Sequence, residues 1–292
     1  MILINSFHGR FGNKILQYNN LMQISDLIGV SASSVGWEGD SFFHNLVKNK
    51  PSHKPQIKLG WSDLLHFDKL HPMQEHQLKK LSLSDDYVVY PECLHNVFYN
   101  TTRKDPRTFF QISDEHKRSL PQDKVNVGIH IRGDDVRGAD GNNGREIHEP
   151  KYYMDSIDVV ESEFDNTVYY VCTDDHSFPT YTETVKYLTD KGCEFEIGNV
   201  QSLFHDFSTL AECDVLIASS STFVICSGFI GKKDKKIIHS MDWITKQFPG
   251  DTYVMWGNYT QDYPESYWKA FDNFWIDLYN GGNDYYKAWK FI

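Results

Sequence analysis

The stretch "VNVGIHIRGDDVRG" at residues 125–138 joins an apolar run to a cluster of charged residues. The segment "VNVGIHI" is rich in valine and isoleucine, which predicts a strand buried on both faces of a parallel sheet. Arg132 follows at the end of this strand, and ligands of open α/β sheets bind at the carboxyl ends of strands. A guanidinium group pairs with two phosphate oxygens at once. Two interpretations follow: Arg132 binds a phosphate, or it pairs with an aspartate on a surface loop.

Strand and helix patterns alternate from residue 121 to about residue 250. The predicted strands are "VNVGIHI", "TVYYVCTD", "CEFEIG", "DVLIAS" and "KKIIHS". The predicted helices between them begin near Pro150 and at "TYTETVKYLTDKG", "SLFHDFSTLAEC" and "TFVICSGFIG". This alternation predicts a doubly wound parallel sheet with helices on its faces, so residues 121–250 are expected to form one Rossmann-like domain.

The amino-terminal part begins with a strand "MILINS", a turn "GRFGN" and a helix "KILQYNNLMQISDLIG". Residues 30–120 are less regular, with a helical "PMQEHQLKKLSL" and a strand "YVVYPE". We expect residues 1–120 to form a first domain. The segment 251–292 is rich in aromatic residues and is expected to pack on the body of the protein, although stacking on a sugar is an alternative.

The composition limits the classes of function. The chain has 292 residues, of which 40% are hydrophobic, and this suits two compact domains or one large one. The formal net charge of −11 and the lack of a basic stripe argue against nucleic-acid binding. No leader pattern or 18-residue apolar run occurs, so we expect a cytoplasmic chain without stable membrane insertion. The five cysteines lack zinc spacing and are expected to be free thiols.

Three polar stretches follow predicted strands: "HGRFGN" at residues 8–13, "HIRGDD", and "IASSSTF". In the first, Asn13 at the predicted helix start either caps the helix or reaches inward. In the third, hydroxyl groups and the positive end of a helix dipole together suit a phosphate, although an ordinary N-cap is the alternative. The pairs in "SDD", "GDD" and "TDD" are adjacent aspartates, whose side chains point to opposite faces of a strand. They are poor joint metal ligands, so metal independence is favoured and no cofactor is expected.

These motifs together resemble the fucosyltransferase superfamily. "GRFGNKILQY" is similar to the Gly-x-x-Gly-Asn-x-x-x-Gln-Tyr opening of the bacterial α1,2-fucosyltransferases, and its "GRFGN" also resembles the protein O-fucosyltransferases. "HIRGDD" resembles the His-x-Arg-Arg-Gly-Asp motif, which is followed by a helix similar to "HEPKYYMDSID". "LFHDFSTLAECDVLIASSSTF" is similar to the donor-binding segment, and the superfamily also contains the α1,6-fucosyltransferases. The bacterial α1,2 family is the closest resemblance.

The resemblance implies a GT-B fold, in which two Rossmann-like domains face each other across a cleft. It implies an inverting, metal-independent transfer of fucose from GDP-β-L-fucose to a glycan acceptor, with an α1,2 linkage to galactose. Two alternatives stay open: an inactive sugar-nucleotide or glycan-binding module, and a glycosyltransferase that uses another nucleotide sugar. The sequence predicts no particular oligomeric state.

The resemblance also implies roles for individual residues. Arg132 would bind the β-phosphate, and Asp206 would accept hydrogen bonds from the guanine base. Asp140 or Glu146 would be the catalytic base, and the sequence does not separate the two. The remaining expected donor-site residues are Asn13 near the sugar, with Gly12 beside it, Ser220, Ser221 and Thr222 at the diphosphate, and Phe223 near the base. His130 and Asp174 are also expected in the donor site, although packing within the sheet is the alternative for His130 and a strand-end cap is the alternative for Asp174. Catalysis is thereby assigned to Arg132, Asn13 and one of the two carboxylates.

One position departs from the resemblance. The family commonly carries two consecutive arginines, whereas this chain has Gly133 at the second position. The loss of one charged hydrogen bond from a diphosphate site costs about 1.5–3 kcal/mol. We expect Arg137 or Arg145 to compensate, or the donor to bind more weakly.

Overall fold

The structure is a computed structural model that describes residues 1–47, 57–59, 87–89, 106–133, 148–199, 202–232, 235–240 and 254–258. By its internal contacts the chain divides into two compact units, whose described residues fall within Met1–Ser113 and Asp114–Asp262. The expected domain boundaries at residues 120 and 250 stay a prediction. Of the aromatic-rich segment 251–292, only 254–258 are described. None of the described helices is long and apolar enough to span a membrane.

The first unit contains a four-stranded sheet in the order β2-β1-β4-β3, in which the pairings are parallel. Its described elements are β1 (Ile2–Ile4), α1 (Phe11–Ile28), β2 (Ala32–Ser34), α2 (Gly39–Phe42), β3 (Ile57–Leu59), β4 (Tyr87–Val89) and a 3₁₀ turn (Pro106–Thr108). The strands predicted from "MILINS" and "YVVYPE" are confirmed. The predicted turn "GRFGN" is wrong at its end, because α1 already begins at Phe11. The predicted helix "PMQEHQLKKLSL" lies outside the described residues.

Aromatic rings form much of the core of the first unit. Phe42 and Phe43 pack edge to face with centroids 4.8 Å apart, and Phe11 lies 5.7 Å from Phe42. Trp37 stacks on Tyr18 at 6.1 Å. Rings of this size bury large apolar areas and prefer such offset or edge-on contacts. They therefore attach α1 to the loop that follows β2.

The second unit contains a six-stranded sheet in the order β10-β9-β8-β5-β6-β7. Its strands are β5 (Val125–Ile131), β6 (Thr167–Thr173), β7 (Glu194–Ile197), β8 (Val215–Ala218), β9 (Lys236–Ser240) and β10 (Val254–Asn258). Its helices are α3 (Pro150–Glu163), α4 (Pro179–Lys191), α5 (Leu203–Glu212) and α6 (Thr222–Ile230). Each predicted strand and helix of 121–250 is confirmed. β10 is the exception to the parallel sheet, because it pairs antiparallel with β9 at the edge.

Helices cover both faces of this sheet, as the predicted doubly wound arrangement requires. On one face, alternate residues of β5 and β6 pack with α3 and α4 around Tyr153 and Leu188. On the other face, the intervening residues pack with α5 and α6 around Leu210 and Val224. Gly128 belongs to this second face, where a Cβ would lie 2.7 Å from Leu210 Cδ2. The strand therefore allows α5 to approach closely, and the prediction of a mixed α/β fold with a parallel sheet is confirmed.

The chain changes direction across the sheet at β5. It runs outward through β6 and β7, returns to the other side of β5, and continues through β8 and β9. β5 and β8 are thus parallel neighbours, with Ile129 opposite Ile217. Helices leave the two strands toward opposite faces, which opens a crevice at their carboxyl ends. A ligand site is expected at this switch point.

Lys235 is a buried lysine that holds the end of α5. Its side chain is 1% exposed, and its Nζ donates hydrogen bonds to Leu210 O at 2.6 Å and to Ala211 O at 2.8 Å. These carbonyls belong to the last turn of the helix, which has no intrahelical donors for them. Burial lowers the pKa of Lys235 to about 8.

This burial predicts a pH dependence of stability. Between the folded pKa of about 8 and the ordinary value of 10.5, the unfolded chain binds more protons at Lys235 than the folded one. Stability contributed by this residue therefore rises with pH across that window. Relative to Lys235→Met, the wild-type free energy of unfolding is expected to increase by about 2–3 kcal/mol between these pH values. Urea unfolding at several pH values measures it, with Lys186→Met as the matched loss of an exposed lysine. A constant or shrinking difference would contradict the prediction.

Candidate functional site

Arg132 and the loop after β8 meet at the carboxyl edge of the second sheet. The Arg132 Nη1 atom donates to the backbone oxygen of Ser220 at 3.5 Å. The contact follows from the topology, because β5 and β8 are adjacent and parallel. The structure thus brings together two of the three polar stretches identified in the sequence.

The three serines of this loop have different partners. Ser221 is the N-cap of α6, and its Oγ accepts a hydrogen bond from Phe223 N at 3.3 Å. Ser219 Oγ lies 2.6 Å from His130 Nδ1, and Ser220 Oγ lies 3.0 Å from His148 Nε2. One serine therefore serves as the ordinary cap, and the loop carries two further hydroxyl groups beside the helix N-terminus, followed by Thr222. This arrangement of donors suits an anion.

His130 is buried and neutral at the centre of this edge. Its ring is 6% exposed and lies 5.3 Å from the ring of Phe223. Burial lowers the pKa of His130 to about 4; Asp174 opposes this shift and Arg132 adds to it. A neutral imidazole adds no charge beside Arg132, and it holds the hydroxyl of Ser219 by a short hydrogen bond.

Asp174 organises the backbone after Arg132. Its Oδ1 accepts a hydrogen bond from Gly133 N at 2.7 Å. A Cβ at residue 133 would lie 2.9 Å from both Cβ and Cγ of Phe178, which is 6% exposed. Close packing against a buried ring therefore explains why this position, where the resemblance would place a second arginine, carries a glycine.

Asp206 presents a carboxylate on the first turn of α5. It is 6% exposed, and its Oδ1 accepts hydrogen bonds from Asn199 N at 2.8 Å and from His205 Nδ1 at 3.2 Å. Burial raises the pKa of Asp206, and these two hydrogen bonds oppose the rise. Both bonds reach Oδ1, and among the described residues no hydrogen bond reaches Oδ2, so this oxygen can accept from a ligand. A Cβ at residue 198 would lie 2.9 Å from Oδ1, so Gly198 makes room for the carboxylate.

Two phenylalanines connect α5, which carries Asp206, to α6, which follows the serine loop of residues 219–222. The rings of Phe207 and Phe223 pack edge to face with centroids 5.3 Å apart. Phe207 is completely buried, whereas Phe223 is partly exposed. Phe223 thus lies between Phe207 on α5 and His130 on β5.

Sequence reasoning did not identify three aromatic residues that hold this site. His148 bonds to Ser220, as described above. The Tyr152 hydroxyl donates to Ala218 O at 2.8 Å, and the Tyr153 hydroxyl donates to His130 O at 3.3 Å. The signal in the sequence was "HEPKYY", in which Pro150 starts a helix close to the strand ends.

In the first unit, Asn13 is not the helix cap that the sequence suggested. Arg10 is the N-cap residue, and Asn13 lies in the first turn of α1. Gly9 has a φ of 78°, and a Cβ there would lie 2.2 Å from Asn13 Nδ2, so the amide packs against the loop. Gln17 closes this loop, since its Nε2 donates to His8 O at 2.7 Å and its Oε1 accepts from His8 N at 3.0 Å.

The remaining predicted site residues fall in two groups. Gly12 lies in α1 of the first unit, and the roles of Gly12 and Asn13 toward a donor stay predictions. Asp140 and Glu146, the two candidate bases, lie outside the described residues, as do Arg137 and Arg145. Within the described ranges, no three histidine, cysteine, aspartate or glutamate residues form a cluster that could hold a metal ion.

Comparison with known families adds to this geometry. Residues 3–259 match the sequence profile of Glycosyl transferase family 11, which covers most of the chain. The chain belongs to this family. It is therefore a glycosyltransferase. No curated protein sequence shows a significant match.

Solved structures show the same fold. POFUT1 in complex with GDP-fucose superposes with a TM-score of 0.52 at 12% identity, over 78% of this chain and 93% of that chain. A mutant of Arabidopsis thaliana FUT1 in complex with GDP gives a TM-score of 0.52 at 13% identity, over 82% of this chain and 70% of that chain. At such low identity the likeness shows the fold alone.

The burial of His130 leads to a testable prediction about the pKa of its ring. The ring is expected to stay neutral between about pH 8 and pH 5 and to titrate near 4, whereas the ordinary value is 6.5. Since the unfolded chain binds the proton first, the stability that depends on neutral His130 is lost as pH falls from about 6.5 to 4. An NMR titration of the ring, assigned with His130→Gln, measures its pKa. A midpoint near the ordinary value would contradict the buried, neutral state.

The close packing of Gly133 leads to a second prediction, which concerns the stability of the enzyme. Gly133→Ala is expected to lower the free energy of unfolding by about 1–3 kcal/mol, and Gly133→Arg by more, because each side chain meets Phe178. Gly36→Ala is the control, since its Cβ would make an ordinary contact at 3.5 Å. Urea unfolding compares the three variants with the wild type. A Gly133→Arg protein as stable as the wild type would show that Phe178 moves aside.

Proposed function

We propose that this enzyme transfers fucose from GDP-β-L-fucose to a glycan acceptor. The observation that carries the proposal is the convergence of Arg132, the hydroxyl-rich loop of residues 219–222 and the N-terminus of α6 at the switch point. Arginine and serine donors at a helix N-terminus suit the two phosphates of a nucleotide sugar. The structures of POFUT1 with GDP-fucose and of plant FUT1 with GDP support the choice of guanosine diphosphate.

The base of the nucleotide is the second part of the proposal. Guanine presents two adjacent donors, N1–H and its amino group, and a carboxylate accepts both. Asp206 is a carboxylate whose Oδ1 is held by the chain and whose Oδ2 is available. Phe223 contacts Phe207, which follows Asp206 on α5, and His130 on β5, and a base or ribose can pack on its exposed part. Uracil and adenine lack this pair of donors, so Asp206 favours guanine.

We further propose an inverting mechanism without a metal ion. The acceptor hydroxyl attacks the anomeric carbon in line with the departing GDP, through an oxocarbenium-like transition state. Arg132, Ser220, Ser221 and Thr222 stabilise the charge that develops on the leaving phosphate, as preorganised donors do. Asp140 or Glu146 accepts the proton of the acceptor hydroxyl. The resemblance supports a GT-B arrangement with Asn13 near the reacting sugar, and an α1,2 linkage to galactose.

Titration calorimetry without added metal distinguishes between the alternative nucleotide sugars as the donor substrate. Wild type is expected to bind GDP-fucose, with weaker or no binding of GDP-mannose and no binding of UDP-galactose. Arg132→Ala is expected to weaken GDP-fucose binding at least tenfold, about 1.4 kcal/mol, because it removes a charged donor to a phosphate.

Lys191→Ala is the matched control for charge, since Lys191 ends α4 and pairs with Asp158 on the protein surface. It should bind GDP-fucose like the wild type. Selective binding of UDP-galactose would identify a different donor. Binding of GDP-fucose that does not depend on Arg132 would overturn the assignment of the phosphate site.

A further inference from the structure

His148, in the stretch "HEPKYY", contacts the serine loop, and the sequence did not by itself indicate this contact. Its Nε2 lies 3.0 Å from the Oγ of Ser220, and the same serine accepts a hydrogen bond from Arg132 on its backbone oxygen. Ser220 is therefore held from two sides, by Arg132 directly after β5 and by His148 two residues before the start of α3. Within the part of the chain that the structure describes, the hydroxyl of Ser220 has His148 as its hydrogen-bond partner.

The surroundings fix the position of the imidazole. The side chain is 7% exposed and packs on Tyr152 and Tyr153, with ring centroids at 4.6 and 6.3 Å. Its backbone oxygen accepts a hydrogen bond from Thr180 Oγ1 at 3.4 Å, which ties the residue to the start of α4. The Tyr152 hydroxyl in turn donates to Ala218 O at the end of β8. The ring and the serine loop are thus attached to the same strand end.

The direction of the hydrogen bond decides what Ser220 can offer to a ligand. A serine hydroxyl has one proton, so a hydroxyl that donates to His148 presents only lone pairs to other groups. Lone pairs facing an anionic phosphate oxygen would repel it. If instead Nε2 carries a proton and donates to Oγ, the hydroxyl proton is available to the phosphate, and the chain of two hydrogen bonds is mutually strengthened.

We propose that His148 is a positioning residue for donor binding: it donates from Nε2–H to Ser220 Oγ and so directs the serine proton toward the diphosphate. This inference rests on the proposed function, because it requires a phosphate next to Ser220. His148 acts through Ser220 and does not itself touch the nucleotide. It therefore orients one of the hydroxyl donors of a site that has Gly133 in place of another cation.

The test compares two substitutions of similar size that differ in one property. His148→Gln keeps an N–H donor in the reach of Ser220, whereas His148→Met fills the same space without a donor. Each substitution is made in the otherwise wild-type chain and in a chain that also carries Ser220→Ala. Calorimetry measures the affinity of each protein for GDP, and thermal unfolding measures Tm. In the wild-type chain, His148→Met is expected to bind GDP about tenfold more weakly than His148→Gln. With Ser220→Ala, the two variants are expected to bind alike.

Other results would overturn the inference. Equal affinities of the Gln and Met variants would show that donation from residue 148 has no role. A difference that persists with Ser220→Ala would mean that His148 acts by another route. Failure of the wild type to bind GDP would overturn both this inference and the proposed function. If the wild type binds GDP and Arg132→Ala weakens this binding, but the Gln and Met variants of His148 bind alike, only this inference is overturned and the proposed function stands.

A measurement on the unmodified protein makes the inference independent of whether the variants fold. Nitrogen-15 NMR of GDP-bound wild type distinguishes a protonated from an unprotonated Nε2 in each histidine ring. A protonated Nε2 in His148 is the expected result. An unprotonated Nε2 would require Ser220 to donate to His148, which would overturn the proposed direction of the hydrogen bond.

Discussion

The parallel pairing of β5 with β8 is the constraint on which the site depends. These strands are distant in sequence, yet Val127 lies opposite Val215 and Ile129 opposite Ile217, and all four residues are buried. All four belong to the core on one face of the sheet, and this specifies the register strongly, because a slip of one residue would turn each apolar side chain to the opposite face. Once the register is fixed, the positions of the residues that follow the two strands are also fixed relative to one another. Arg132 therefore meets Ser220, and His130 meets Ser219, without further adjustment of the loops.

The site concentrates positive potential within an acidic chain. The formal net charge is −11, so the protein as a whole repels anions, and attraction must come from short-range donors. Arg132 supplies the one full charge among the described residues of this edge that contact the serine loop. The N-terminus of α6 and the serine hydroxyls supply partial charges, which cost little to bury when they are hydrogen-bonded. His130 is kept neutral by burial, and its role is to hold Ser219.

Buried aromatic residues give this edge its rigidity. The hydroxyl groups of Tyr152 and Tyr153 on α3 donate hydrogen bonds to backbone oxygens of β8 and β5. One helix is therefore attached to both strands of the switch point. Phe178 closes the space beside Gly133, and Phe207 supports Phe223 from α5. Close-packed interiors transmit small displacements, so these contacts limit how far the polar groups can move. The same packing explains why a second arginine has no room after Arg132.

The sequence alone determined the order and type of the elements in 121–250, since valine-rich runs, Pro150 and Gly192 mark strand and helix limits locally. It also indicated Arg132 and the serine loop, because unusual polar residues follow predicted strands, whereas Asp206 was implied by the family resemblance. Only the tertiary structure decided that β8 returns beside β5, that β10 runs antiparallel, and that His148 reaches Ser220. It also showed that Asn13 lies inside α1. Local patterns report the backbone preference of a few neighbouring residues. Contacts between distant residues depend on which strands pair, and that choice belongs to the packing of the whole sheet.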